Sequence, residues 1–174
     1  SQAIEFLSPL AYWKLSDTSG TVAVEEVSGD HGEYNNGILL AQPSLGGADF
    51  SVKFDGVDDY VITSNNTKFN RSEMSYSVLT KANYLEYNGN IAVTRDGYSG
   101  SSRDKWLRVD NAGVITFSVF YGTTVSATSS KTALLNEVNH IVATCGGGTI
   151  KIYLNGEMVG SENVAGSFTG YTNA

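Results

Sequence analysis

Residues Ser51–Thr63 read S-V-K-F-D-G-V-D-D-Y-V-I-T, two short alternating runs on either side of an acidic turn. In an extended chain Val52 and Phe54 face one side and Ser51, Lys53 and Asp55 the other, and Tyr60 and Ile62 resume the alternation. Asp55 and Gly56 supply the backbone freedom of a hairpin connection. The stretch predicts a β-sandwich and points away from a catalytic fold.

The same pattern recurs along the chain. Ala11–Leu15, A-Y-W-K-L, predicts a first strand that runs into the turn cluster 16–20, and Ile38–Ala41 a short strand end. Met74–Lys81 and Ile91–Thr94 are the next strands, with a long Gly/Ser-rich loop over Arg95–Lys105. Trp106–Val109 and Val114–Tyr121 flank D-N-A-G and form a hairpin, with Ile115, Phe117, Val119 and Tyr121 on one face and Thr116, Ser118 and Phe120 on the other. Asn139–Cys145 and Thr149–Leu154 follow, and Asn155-Gly156 is a two-residue hairpin turn that sets Ile152 opposite Val159. Only Thr132–Val138 hints at a helical turn, and it is too short to be more than a connector. Short strands with almost no helix predict an all-β fold of two antiparallel sheets packed face to face.

The chain has 174 residues and no composition shift along them, so it reads as a single domain over 1–174. A net charge of −7 argues against nucleic acid as a partner, because phosphate binding needs clustered Lys and Arg. Cys145 is the only cysteine and sits in an alternating run, where a small apolar residue packs. No apolar run reaches the ~18 residues of a membrane span, and the first residues lack the basic and apolar regions of a signal peptide.

Five segments in order, A-Y-W-K-L-S-D-T-S-G, G-E-Y-N-N-G, V-K-F-D-G-V-D-D-Y-V, N-H-I-V-A-T-C-G-G-G and I-K-I-Y-L-N-G-E-M-V-G, resemble the laminin G-like, concanavalin A-like jelly-roll family. That family occurs in extracellular modules and in phage virion proteins. Two departures stand out. The family usually has Trp before the late-strand His, where this chain has Asn139 before His140, and it commonly adds a strand after the region of Ala165–Ala174. Either the sandwich closes differently, a partner supplies that strand, or further residues belong to the natural protein.

The resemblance implies binding of glycans or proteins, with calcium at a sandwich rim. Asp17, Asp30, Asp55, Asp58 and Asp59 are the candidate calcium ligands, although Asp17 and Asp55 also read as turn-formers that bond backbone N–H groups. Tyr98, Trp106, Tyr121 and Tyr171 fall in or near loops and offer faces on which sugar rings stack; for Trp106 the core reading leads, for Tyr98 the exposed one. Glu25 and Glu26 are adjacent and point to opposite faces if extended, so they do not form the facing carboxylate pair of a glycoside hydrolase. His31 and His140 are too few and too isolated for zinc, and His140 reads as a strand residue satisfied by a neighbour.

These features predict a non-enzymatic recognition or adhesion module for a glycan or cell-surface component, located extracellularly or on a virion surface. The alternative is a phage structural or decoration protein that docks on neighbouring capsid or tail subunits or on copies of itself. A polysaccharide hydrolase ranks third. Neither membrane insertion nor nucleic-acid binding is expected.

Overall fold

The computed structural model describes residues 8–63, 67–69, 71–83, 89–95, 103–121 and 123–165; side chains at 67, 93–95, 103, 104 and 121 lie outside that description. The chain divides into two compact units, Ser1–Lys68 and Phe69–Ala174. Nearly all regular structure is β, and no helix among the described residues is long and apolar enough to cross a membrane.

The first unit holds β1 (Val22–Ala23), β2 (Gly32–Asn35), β3 (Leu39–Gln42), β4 (Ser51–Lys53) and β5 (Tyr60–Thr63). They form an antiparallel sheet in the order β1-β2-β5 and a separate β3-β4 pair. Ala23, Tyr34 and Ile38 are its buried apolar residues, with Trp13, Leu15, Leu40, Val52 and Val61 packed around them.

Two expectations are corrected in this unit. Ala11–Leu15 is not a strand: only Trp13 bridges, to Glu25, and Leu15 has a positive φ of 53° that breaks the extended run. Ser51–Thr63 is not a hairpin, because β4 pairs with β3 and β5 with β2. The physical reason is the Asp55 side chain. Its Oδ1 accepts the N–H groups of Val57, Asp58 and Asp59 at 2.8, 3.3 and 3.4 Å, and this side-chain turn sends the two strands to different sheets.

The second unit is the sandwich. β6 (Met74–Thr80), β11 (Asn139–Gly146), β12 (Thr149–Leu154) and β13 (Glu157–Asn163) make one sheet in the order β13-β12-β11-β6. β7 (Gly89–Arg95), β8 (Arg103–Val109), β9 (Val114–Tyr121) and β10 (Thr123–Thr132) make the other, in the order β10-β9-β8-β7. Arg95 and Arg103–Lys105 thus belong to strands, which shortens the expected loop to 96–102, outside the described residues.

Strict alternation buries one face of each sheet. Leu107, Val109, Ile115, Phe117, Val119 and Ala127 meet Ile141, Ala143, Cys145, Ile150, Ile152 and Leu154 in one apolar core. Across it Tyr76 meets Phe117 edge-on, with ring centroids 5.9 Å apart at 74°. Cys145 is buried in this core, as its place in the run predicts.

Connections follow local chemistry. Asp110 Oδ1 accepts the N–H groups of Ala112 and Val114, both at 2.9 Å, and closes the β8–β9 hairpin. Asn139, standing where the family has Trp, is 2% exposed and binds the 134–138 turn through Leu134 N–H, Leu134 O and Glu137 O. Asn155 and Gly156 have φ of 52° and 86°, which suits a two-residue turn between β12 and β13. The register then slips by one, so Ile152 faces Gly160 and not Val159. Gly160 lies so close to β10 that a Cβ there would come within 2.6 Å of the Thr128 carbonyl oxygen. Together with the bond from Ser130 Oγ to Val159 O at 2.9 Å and the Lys131–Glu157 ion pair at 2.6 Å, this closes the sandwich along β10 and β13.

Candidate functional site

The outward face of β8, β9 and β10 carries two cross-strand rows. Trp106 is opposite Ser118, which is opposite Ser126; Arg108 is opposite Thr116, which is opposite Thr128. Because Lys105, Leu107 and Val109 point inward, alternation forces Trp106 and Arg108 outward, and Trp106 is half-buried there rather than in the core. Ser118 is 1% exposed and shares a hydrogen bond with Ser126 through their hydroxyl oxygens at 2.7 Å. The Trp106 indole N–H has no partner among the described residues. Phe120 and Thr124 face each other one step further along. A broad aromatic face beside hydroxyls and a guanidinium matches the alternating apolar and polar surface of a sugar ring.

Of the other predicted aromatics, Tyr121 continues the backbone of β9 and pairs with Thr123, while Tyr98 and Tyr171 lie outside the described residues. Arg108 and the Ser118–Ser126 pair were not singled out by sequence. The signal was there in the parity of β8, where every second residue after Lys105 is apolar.

In the first unit, the turn between β4 and β5 gathers Asp55, Asp58 and Asp59, with one ligand atom from each within 4.8 Å of the others. Asp59 Oδ2 accepts the Asp55 N–H at 2.8 Å, and Asp59 Oδ1 is buried without a hydrogen-bond partner. Hydrogen bonds from backbone N–H groups, that of Val57 foremost, hold the Asp55 carboxyl below the usual range. Val57 stands 83% exposed at the tip. Asp17 and Asp30 are not part of this group. Asp17 Oδ2 accepts the Tyr34 hydroxyl at 2.7 Å and the Val24 N–H at 3.3 Å, and Asp30 pairs with Lys68 at 2.7 Å. Burial, then the bond to Asp17, pushes the Tyr34 phenol above its ordinary value.

Glu25, which the sequence offered only as half of a rejected carboxylate pair, has a structural role. It is 3% exposed, and its two oxygens accept the N–H groups of Tyr12, Val27, Ser28 and Gly29 and the Ser28 hydroxyl, at 2.6–3.0 Å. Burial pushes its carboxyl up, but these hydrogen bonds outweigh burial and hold it at about 2. It braces the loop instead of presenting a charge to a ligand. On the outward face of the other unit's β11, His140 Nε2 lies 2.9 Å from Ser77 Oγ, the neighbour that satisfies it.

No curated protein matches the chain. Among solved structures, an S-layer domain-containing protein from Clostridium thermocellum ATCC 27405 is similar at a TM-score of 0.55 and 21% identity, over 88% of this chain and 72% of that one. At that identity the likeness is one of fold. A family model, Laminin_G_3, described as the concanavalin A-like lectin/glucanases superfamily, matches residues 55–174 and so begins at the acidic turn and spans the whole sandwich. The chain therefore belongs to the Laminin_G_3 family of concanavalin A-like lectins and glucanases.

Proposed function

We propose that the chain is a non-enzymatic recognition module that binds a glycan or another cell-surface component through the outward face of β8–β10. The observation that carries this is Trp106, set outward with its indole N–H unpartnered among the described residues and in one row with Ser118 and Ser126. The superfamily's name joins lectins with glucanases, and the fold's occurrence in an S-layer domain-containing protein supports an extracellular, cell-surface setting.

Binding is favoured over hydrolysis by the state of the carboxylates. A glycosidase general acid needs a raised pKa, whereas Asp55 is held low and serves the turn. Calcium is a secondary element of the proposal. Asp58 and Asp59 would hold it, with the unpartnered Asp59 Oδ1 as the donor that fits a cation best, and water would complete the ~6–8 oxygens required.

A glycan array probed with the protein in calcium and again in EDTA tests the reading. We expect binding to a surface polysaccharide, about tenfold weaker for Trp106→Ala because one stacking contact is lost. An array blank in both conditions would overturn it. Loss of binding in EDTA, reproduced by Asp59→Asn, would assign calcium a part.

A further inference from the structure

Three cations among the described residues have an acid at hand: Lys14 lies 3.5 Å from Glu26, Lys68 2.7 Å from Asp30 and Lys131 2.6 Å from Glu157. Arg108 does not. It forms no hydrogen bond or ion pair with a described residue, although the chain carries a net charge of −7. A guanidinium stays charged throughout the physiological pH range and offers its N–H donors in a planar fork.

The described side chains around it are hydroxyls, an amide and an aromatic ring. Its row reads Asn90, Arg108, Thr116, Thr128, and the adjoining row Trp106, Ser118, Ser126. Asn90, Ser126 and Thr128 are exposed, while Trp106, Arg108 and Thr116 are half-buried. Asp110, two residues on, already gives its Oδ1 to the N–H groups of Ala112 and Val114. Within these two rows nothing neutralises the guanidinium.

Spacing narrows the ligand. Residues two apart on a strand stand about 6.6 Å apart on the same face, so a sugar ring stacked on Trp106 brings an exocyclic group at its rim to Arg108. A carboxylate there meets the fork through two parallel charge-assisted hydrogen bonds, whereas a neutral hydroxymethyl group offers one uncharged acceptor. One guanidinium balances one negative charge, and the net charge of −7 repels a densely sulfated polymer.

We infer that this face selects glycans containing a uronic acid, with the ring on Trp106 and its carboxylate on Arg108, and that Arg108 is the residue that sets this specificity. The inference rests on the reading of the β8–β10 face as a glycan site and adds the class of sugar.

A panel of uronic-acid oligosaccharides, each beside its carboxyl-reduced and its sulfated counterpart, tests it, with thermal unfolding as the control for folding. The uronic acids should bind about tenfold more tightly than the carboxyl-reduced forms. Arg108→Gln should erase that preference and leave binding of the neutral forms unchanged, and Arg108→Lys, which keeps the charge and loses the fork, should retain part of it. Lys151→Gln removes the same charge from the outward face of β12 and should alter nothing, which separates a local contact from a change in net charge. Trp106→Ala should weaken acidic and neutral forms alike. Equal binding of acidic and neutral forms, a preference that survives Arg108→Gln, or tighter binding of the sulfated forms would overturn the inference and leave the glycan site standing. A panel on which nothing binds, neutral forms included, would overturn both.

Discussion

Among the described residues, the buried side chains of the second unit are mostly apolar and come from the facing surfaces of two sheets, while the first unit has three buried apolar residues and a buried carboxylate that accepts five hydrogen bonds. Apolar burial is non-directional and tolerates small shifts, so the sandwich core distributes its stability over many contacts. The first unit concentrates it. Tyr12, Val27, Ser28 and Gly29 are held through one side chain, and Asp17 ties Tyr34 to Val24 in the same manner. The difference teaches that one unit should fail by cavity formation and the other by protonation.

The largest effect should come from the apolar side. Phe117 is fully buried and meets Tyr76 across the sandwich, so Phe117→Ala should cost about 3–5 kcal/mol in denaturant unfolding. Glu25→Gln is next, at on the order of 2 kcal/mol, because a neutral amide satisfies fewer of the donors. It should also change the pH response. The folded carboxyl titrates at about 2, below its ordinary 4.5, so the unfolded chain binds more protons between those values. The Glu25 contribution is therefore complete above about 4.5 and lost as pH falls toward 2. Glu25→Gln should abolish that slope in the first unit and leave the sandwich's acid response unchanged. Equal acid sensitivity in wild type and variant would break the contrast. The smallest effect is Asp55→Asn, which should speed amide exchange at Val57 without shifting the thermal midpoint, since the carboxyl is exposed at the turn.

Two turns of similar sequence show how far the fold was legible. Asn155-Gly156 and Asp55-Gly56 both lie between alternating runs. At the first, two consecutive positive φ values fix a two-residue loop, and the partner strand follows from its length. At the second, the geometry is set by Asp55 reaching three N–H groups beyond it, and alternation carries no information about which strand the chain then joins. Alternation grouped Ile115, Phe117 and Val119 on one face of β9, and that face is the buried one, because period two is all that a buried sheet face demands. It placed Ile152 one residue off because a bulge adds a residue without disturbing the apolar pattern. At the candidate site, Trp106 was legible as an aromatic of interest, and its outward side follows from the parity of Leu107 and Val109. Glu25 was not, since a carboxylate next to Glu26 looks the same in sequence whether solvated or enclosed by N–H groups.

The pairing of β6 with β11 has a consequence for how the chain is made. Met74 meets Cys145, about 70 residues later in the chain, whereas β8, β9 and β10 pair with their immediate neighbours. At synthesis rates of about 5–20 residues per second, β6 waits several seconds for its partner while the β7–β10 meander is already complete. During that interval nascent chains on neighbouring ribosomes display the same apolar, uncharged segment. Translation speed between Thr80 and Asn139 therefore sets how long β6 stays without its β11 partner during synthesis.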